Sequence, residues 1–364
     1  MKNIQFTNSP GVPHEMMADE FLCHKHGSEW WYCTGFLNAE TGELFSFQFT
    51  LARVRIYGMQ FHILMTAVTD FESGKHYYAQ YPVFFGKDVT LTAEKVALGS
   101  LAEMRFQGKT LALRMNDKDY SLELSMVAAK PPVWHAEDGV LKMGVDDPKE
   151  KTYYWSYTQL AASGTLTLGG KEHKVAGQAW FDKQGGRYTL TSRWTNWEWF
   201  SLRFFDGEEV MLFSFPQDNY QDGTYIEKSG SYRRLNDYQI TPLGFTEAGG
   251  KKFSCGWKVA LPGLKDEAYT IVPKTEGQLN LFYYELLADI KDRDGNEVGY
   301  CVVELLPGVY NEKMKISAAW ARVKKGISKV RSAGMIWRSR KASRVGASRM
   351  TPDSTISSRP NEWA

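Results

Sequence analysis

The chain has 364 residues, of which 43% are hydrophobic and 14% aromatic, and this length is natural for two domains. Its formal charge of +2 is unevenly spread. Residues 321–364 hold eleven Lys and Arg against Asp353 and Glu362, a local net charge of +9, so the rest of the chain carries about −7. A negative globular part argues against a nucleic-acid surface.

Neither targeting nor membrane-spanning segments are recognisable. The first thirty residues lack a basic start followed by an apolar run, and no stretch of about 18 uninterrupted apolar residues occurs. The cysteines, Cys23, Cys33, Cys255 and Cys301, form no CxxC pair, which favours a reduced chain with structural thiols. The sequence therefore predicts a cytoplasmic protein without a membrane span, and it leaves the oligomeric state open.

Alternation of apolar and polar residues dominates the chain. In 44–51, Phe45, Phe47 and Phe49 alternate with Ser46 and Gln48, which predicts a half-buried strand. Similar segments occur at 61–68, 101–106, 110–115, 120–126, 164–168, 188–191, 200–205, 209–215, 253–260, 279–288 and 299–305. Turn-forming residues separate them at 40–42, 168–170, 205–207, 248–250 and 294–296. This pattern predicts an all-β protein with two antiparallel barrels or sandwiches in tandem.

We place the domain boundary after Asp182, near Gly185 and Gly186. The predicted parts are an N-terminal extension at 1–18, a first domain at 19–186, a second domain at 187–312 and a basic tail at 313–364. Helical spacing predicts a short helix over 316–327, and from about residue 328 the lack of a core pattern predicts flexibility. The tail is interpreted as a solvated appendage, with contact to an anionic surface as the alternative.

Two segments combine aromatic residues with a carboxylate: Glu29-Trp30-Trp31 and Trp180-Phe181-Asp182. In a strand, alternate side chains share a face, so Glu29 lies beside Trp31 and Trp180 beside Asp182. Burial against indole rings raises the pKa of a carboxyl group, and the rings attract a nearby cation. Proton donation is therefore a hypothesis for Asp182. The alternative is that Asp182 caps a turn through residues 183–186.

Other polar and aromatic residues have two interpretations each. A buried Glu29 needs a partner, and Arg53, Arg55 and His62 are the candidates, so a structural salt bridge competes with a role at the ligand. His62 lies in an apolar run, where proton relay competes with a place in the core. The Trp194, Trp197 and Trp199 cluster is interpreted as packing, with ligand contact as the alternative. Tyr284 and Glu285 either close a cavity or form a strand edge.

Motifs for common chemistries are missing. His24, His26 and His62 lack the helical context or matching pair of a metal site. The sequence has no GxSxG, no P-loop and no GxGxxG after a strand. We therefore expect no metal and no organic cofactor.

Several motifs follow one another in a fixed order. They are His26 to Gly35, Phe61-His62 with Thr69-Asp70, residues 153–164, residues 177–182, residues 197–201, and residues 283–285 with Gly299-Tyr300, Glu304 and Gly308. Together they resemble the hydroxyneurosporene synthase / AttH-like family of tandem lipocalin-like proteins, over roughly residues 18–312. The resemblance implies two lipocalin-like barrels. Members of the family include carotenoid 1,2-hydratases and fungal enzymes that catalyse intramolecular cyclisations.

The resemblance also implies a site. In the hydratase branch the recognised residues are similar to His-x-Trp followed by Tyr-x-Asp. The matching positions here are Tyr153-x-Trp155 and Trp180-x-Asp182, with Tyr153 in place of His and Trp180 in place of Tyr. By this likeness Asp182 donates the proton, and Tyr153, Trp155 and Trp180 shape the pocket and stabilise positive charge. The residues expected to contact ligand are Glu29, Trp31, His62, Trp197 and Tyr284.

The sequence therefore predicts a cofactor-independent hydratase, isomerase or cyclase that acts on a hydrophobic, unsaturated small molecule resembling a carotenoid, terpenoid or polyketide. A cyclase needs only a pocket that folds its substrate into a reactive conformation. The alternative is a non-catalytic binder or carrier of a hydrophobic ligand, because barrels of about eight strands can hold one small molecule.

Overall fold

The computed structural model describes residues 4–6, 21–24, 27–56, 59–84, 86, 88–136, 139–142, 151–187, 197–216, 220–264, 268–275, 278–280 and 283–306. Every regular element within these residues is a β-strand, which confirms the all-β prediction. The described part contains no helix long and apolar enough to span a membrane. The strand expected at 188–191, the helix expected at 316–327, the basic tail, His26 and Trp194 lie outside the described residues.

The first sheet contains the strands before residue 188. They are β1 (Ser28–Ala39), β2 (Leu44–Ile56), β3 (Met59–Asp70), β4 (Lys75–Phe84), β5 (Val89–Leu91), β6 (Lys95–Leu98), β7 (Ala102–Gln107), β8 (Thr110–Asn116), β9 (Tyr120–Ala128), β10 (Val133–Trp134), β11 (Val140–Lys142), β12 (Lys151–Leu168) and β13 (Lys171–Arg187). They follow the order β4-β3-β2-β1-β13-β12-β9-β8-β7-β6-β5, with β10 and β11 added beside β12. All the pairings between these strands are antiparallel.

The second sheet contains the strands after residue 197. They are β14 (Glu198–Phe204), β15 (Glu209–Phe215), β16 (Tyr220–Ile226), β17 (Tyr232–Leu235), β18 (Gln239–Ala248), β19 (Lys251–Ala260), β20 (Ala268–Pro273), β21 (Leu279–Asn280), β22 (Tyr283–Lys291) and β23 (Glu297–Leu305). Their order is β17-β16-β15-β14-β23-β22-β20-β19-β18, with β21 beside β22. Each sheet curls into a lipocalin-like barrel, as predicted. The boundary at residue 186 stays a prediction.

Side chains fill the interior of each barrel. Alternation supplies them: along β9 every second residue from Tyr120 to Met126 is buried, while the residues between point outward. Leu111, Leu122, Trp155 and Phe181 belong to the core of the first barrel. The core of the second barrel has its own residues, among them Phe200, Trp257, Ile271, Tyr284 and Val303.

A third apolar cluster lies between the two barrels. Tyr32, Tyr154 and Trp180 of the first barrel pack there with Trp199 and Phe213 of the second. This cluster is rich in aromatic rings: Trp180 and Trp199 meet edge to face with ring centroids 5.8 Å apart. The two barrels therefore share a buried aromatic interface, and the polar groups described next are embedded in it.

Candidate active site

The long strand β13 places Asp182 at the interface between the barrels. Its neighbours in the sheet are Tyr32 on β1 and Ser156 on β12. Because strand residues alternate in direction, Trp180 and Asp182 point to the interface, whereas Phe181 points into the first barrel. Asp182 is only 5% exposed, so the predicted burial of this carboxyl group beside Trp180 is present.

Three side chains donate hydrogen bonds to Asp182. The Trp180 Nε1–H lies 2.6 Å from Oδ1, the Ser156 hydroxyl donates to the same oxygen, and the Tyr154 hydroxyl lies 3.1 Å from Oδ2. The alternative of a turn cap is wrong, because β13 continues without a turn to Arg187. Asp182 thus accepts from side chains within a strand pair.

Burial dominates the titration of Asp182. Loss of water raises its pKa from 3.8 to about 7, although Ser156, Trp180 and Tyr154 oppose the shift by stabilising the anion; the partly buried Glu304 adds to the rise. A carboxyl group with this pKa holds its proton for a large share of the time at neutral pH. It therefore has the protonation behaviour required of a general acid.

A chain of hydrogen bonds connects Asp182 to the second barrel. Thr224 Oγ1 lies 2.9 Å from His135 Nδ1, and His135 Nε2 lies 2.7 Å from Ser156 Oγ. Burial lowers the pKa of His135 to about 3, so the ring is neutral. Since Ser156 donates its proton to Asp182, the ring must donate from Nε2 and accept at Nδ1 from Thr224. The chain fixes the ring and the serine hydroxyl.

The same network indicates which oxygen of Asp182 carries the proton. Oδ1 already accepts from Trp180 and Ser156, whereas among the described residues Oδ2 faces only the Tyr154 hydroxyl. That hydroxyl accepts a hydrogen bond from Trp199 Nε1 at 3.0 Å. It therefore has a lone pair left for a proton on Oδ2, and neutral Asp182 is best accommodated with its proton there.

The raised pKa predicts that Asp182 makes stability depend on pH. In the folded chain Asp182 keeps its proton up to about pH 7, whereas an unfolded Asp releases it near pH 4, so this group weakens folding as pH rises from about 4 to 7 and not beyond. A three-unit shift corresponds to at most about 4 kcal/mol. We expect Asp182→Asn to gain stability relative to wild type across this interval. Parallel curves of unfolding free energy against pH, measured with urea, would contradict the assignment.

Tyr153 and Trp155 do not lie beside Asp182. On β12, Ser156 is the residue opposite Asp182, so Tyr154 and Ser156 share its face, and Trp155 points into the core of the first barrel. Trp155 packs there against Phe181, with ring centroids 5.5 Å apart, and Tyr153 stacks near the His24 ring at 5.7 Å. The expectation that Trp155 lies against the Asp182 carboxyl group is wrong, because strand alternation puts Trp155 on the opposite side of the sheet.

Glu29 lies at the centre of a buried ion cluster. Its carboxylate oxygens are 2.6 Å from Arg53 Nη2, 2.7 Å from Lys183 Nζ and 3.0 Å from His24 Nδ1. Burial alone raises the pKa of Glu29, but Lys183, His24 and Arg53 outweigh it and hold the pKa well below its usual range. The Lys183 ammonium also sits 4.3 Å above the Trp31 ring. Arg53 is thus one expected partner that contacts Glu29, and the side chain of Arg55 lies outside the described part of the structure.

The remaining predicted site residues are dispersed. His62 is buried, its pKa is lowered to about 4 by burial and by Arg53, and it is associated with the Glu29 cluster. Tyr284 packs in the core of the second barrel against Phe253. Trp197 lies at the barrel interface. Within the described residues, no three His, Cys, Asp or Glu side chains are arranged to hold a metal ion.

A pair of glutamates near Tyr32 and Trp197 completes the polar interface. Glu285 on β22 and Glu304 on β23 are direct cross-strand neighbours. Tyr32 donates to Glu285 and Trp197 Nε1 to Glu304, both at 2.7 Å. Burial raises the pKa of Glu304 to about 7, and burial together with Glu304 raises that of Glu285 well above its usual range. The pair therefore retains a proton at neutral pH.

The sequence analysis missed five residues of this network: Tyr154, Ser156, His135, Thr224, and Trp199 as a hydrogen-bond donor. The spacing of Tyr154 and Ser156 could have indicated two of them, because residues two apart share one face of a strand, as Trp180 and Asp182 do. The register that sets Ser156 opposite Asp182 is a property of the folded sheet. No local pattern marked His135.

Comparisons with known proteins agree with the fold. The AttH-like family model matches residues 8–308. The solved structure of an AttH from Nitrosomonas europaea is 23% identical, with a TM-score of 0.73 over 82% of this chain and 98% of that one. Kievitone hydratase from Nectria haematococca is 16% identical, with a TM-score of 0.67 over 85% and 97%. CghA with Sch210972 is 9% identical, with a TM-score of 0.50 over 85% and 97%.

No curated protein matches the chain in sequence. The family model nevertheless covers most of its length, including both barrels and every residue of the interface network. The chain belongs to the AttH-like family.

Proposed function

We propose that the protein is a cofactor-independent hydratase, isomerase or cyclase for a hydrophobic, unsaturated small molecule, with Asp182 as proton donor. The observation that carries this proposal is the buried Asp182 carboxyl group, whose pKa is raised to about 7 by burial and whose oxygens are oriented by Trp180, Ser156 and Tyr154. The similarity in fold to a protein named as a hydratase is in keeping with it.

The chemistry begins with a proton on Oδ2 of Asp182. Transfer of that proton to one alkene carbon uses the π electrons to form a C–H bond and leaves the other carbon cationic. Trp180 and Trp199 lie next to the acid, and an indole face stabilises a nearby cation by about 0.5–2 kcal/mol. In a hydratase, water adds to the cation and loses a proton, which returns to Asp182. In an isomerase, the cation loses a different proton to the Asp182 carboxylate, which forms the new double bond and regenerates the acid.

Access to the acid requires movement at the barrel interface. Asp182 is 5% exposed, and both barrel interiors are filled by side chains. A substrate therefore reaches Oδ2 only where Tyr154, Trp199 and their neighbours separate, because proton transfer needs hydrogen-bond distance. This arrangement favours a site between the barrels over a ligand inside either one.

The proposal is tested by the pH dependence of turnover. Unsaturated terpenoids, carotenoids and polyketides are incubated with the protein, and products are identified by mass spectrometry. For a substrate that reacts, the rate should fall about tenfold per unit above pH 7, because only protonated Asp182 donates. Glu304 titrates in the same range, so Glu304→Gln is the control: it should keep the tenfold fall per unit, with the fall beginning at slightly lower pH because Glu304 contributes to the raised pKa of Asp182. A rate that is flat or rising between pH 6 and 9 would remove the acid role.

A further inference from the structure

A small polar cavity lies between the barrels, next to Glu285. Its volume is about 20 Å³, and it is lined by β1 to β4 of the first barrel and by β22, β23 and residues 278–280 of the second. A cavity needs roughly 10–15 Å³ to hold one water molecule. The space is therefore sized for one oxygen atom with its hydrogens.

Three buried polar atoms lining this cavity have hydrogen-bonding capacity left over within the described part of the chain: Gln48 Oε1 and Glu285 Oε2 make no hydrogen bond, and the Asn280 NH₂ group has at least one free proton. Gln48 is 3% exposed, Asn280 0% and Glu285 7%. A buried polar atom whose hydrogen-bonding capacity is not met destabilises the folded state. Three such atoms around one cavity therefore indicate that something occupies it.

Each of the two amide groups also has a contact with a neighbouring side chain. Thr69 Oγ1 lies 2.9 Å from His76 Nδ1, and His76 Nε2 lies 2.8 Å from Asn280 Oδ1. An amide oxygen only accepts, so His76 donates from Nε2, and the Asn280 NH₂ group is directed away from it. Gln48 donates its own NH₂ to Thr50, which leaves Oε1 for the cavity.

Contacts with neighbouring residues leave both amides available. The Asn280 NH₂ group lowers the pKa of the Tyr283 phenol, but an amide NH₂ carries two protons, and one remains for the cavity. The cavity thus receives a donor from Asn280 and an acceptor from Gln48.

Glu285 supplies a second donor. Its Oε1 accepts from Tyr32 at 2.7 Å, and burial together with Glu304 keeps the carboxyl group protonated, although Tyr32 and Thr34 oppose this. The Thr34 hydroxyl donates its hydrogen bond to the Phe47 carbonyl oxygen, at 3.0 Å. Because Oε1 already accepts from Tyr32, the proton of Glu285 resides on Oε2.

We propose that this cavity is a binding site for one hydroxyl oxygen, either of a water molecule or of an alcohol or phenol group on a ligand. The oxygen accepts from Asn280 Nδ2–H and Glu285 Oε2–H, and its hydrogen is donated to Gln48 Oε1. A carbonyl oxygen leaves Gln48 unpaired, and a cation meets two donors. The site goes beyond the proposed proton donation at Asp182 and does not depend on it.

High-resolution crystal structures of the full chain, without ligand and soaked in methanol, test this site. One oxygen is expected within hydrogen-bond distance of all three atoms. Displacement of the water by methanol assigns the site to ligand hydroxyls; a water that methanol leaves in place assigns it to solvent. An empty cavity, or the three atoms paired with one another, overturns the proposal.

Variants at Glu285 supply the matched comparison. Glu285→Gln keeps an N–H donor toward the cavity and should keep the bound oxygen, whereas Glu285→Leu should lose it.

Infrared spectra of the wild-type chain provide a second check, which requires neither crystals nor the Glu285→Leu variant. A carbonyl stretch of a protonated carboxyl group should be present at pH 6 and reduced in Glu285→Gln. Spectra showing Glu285 ionised at that pH would overturn the donor assignment. Neither readout depends on turnover.

Discussion

Replacing Glu29 with Gln is expected to lower the free energy of unfolding by about 3–5 kcal/mol, because it leaves buried charges without their partner. Arg53 and Lys183 are each 1% exposed, and both lie within 2.7 Å of the Glu29 carboxylate. A neutral amide cannot balance two cations in a low-dielectric surrounding. Urea denaturation at pH 7 measures the loss.

The matched control for this variant is Glu103→Gln. Glu103 also has two cationic partners, Lys95 at 3.3 Å and Arg105 at 2.6 Å, but these side chains are 31% and 54% exposed. Surface pairs of this kind contribute about 0–1 kcal/mol. If Glu29→Gln costs no more than Glu103→Gln, the ion cluster does not hold the first barrel together. A contact between Glu29 and ligand stays a prediction.

Replacing Asp182 with Asn is expected to reduce turnover by a factor of about 10² to 10⁴, the usual contribution of a positioned general acid. The amide has nearly the same shape and still accepts at one oxygen, so the contacts with Trp180, Ser156 and Tyr154 largely persist. Ligand affinity should therefore change little while the rate falls. Single-turnover kinetics beside equilibrium binding separate the two quantities.

Asp70→Asn is the control for the loss of an aspartate in a structural role. Asp70 accepts from the backbone of Glu72 and Ser73 at the end of β3, as a turn-capping carboxylate does, and its replacement should leave turnover unchanged. Equal turnover in Asp182→Asn and wild type would favour a carrier, or a cyclase that acts only by folding its substrate.

Alternation along the chain predicted more of this molecule than any other signal. It gave the strand type of most segments and placed Trp180 and Asp182 on one face, where the structure has them. The same alternation also indicates that residues 153 and 155 lie on one face of β12 and residues 154 and 156 on the opposite face. The motif drew attention to Tyr153 and Trp155, and only the pairing of Ser156 with Asp182 shows that Tyr154 and Ser156 face the acid.

The turn predicted from the two glycines near the end of β13 is wrong. Gly185 and Gly186 predicted a turn, yet both lie in the strand. A Cβ on Gly185 would sit 2.3 Å from the Glu29 Cβ, so the missing side chain makes room for the carboxylate at the centre of the ion cluster. Close approach across a sheet and a tight turn use the same residue, and sequence alone does not distinguish them.

Long-range contacts account for most of what the sequence could not provide. His135 follows the short strand β10, connects to Asp182 through Ser156, 21 residues later, and is held at its other ring nitrogen by Thr224, 89 residues later. Tyr32 and Glu285 are 253 residues apart in the chain. Such partners are set by how the barrels pack, and no local spacing encodes them.

The route from Thr224 through His135 and Ser156 to Asp182 crosses from one barrel to the other. If the second barrel were exchanged for that of a distant relative, Thr224 and Trp199, which fix His135 and Tyr154, would be lost even when both halves fold correctly. A chimera built from the barrels of two relatives is therefore expected to keep an oriented acid only when the residues on both sides of these crossing contacts are retained.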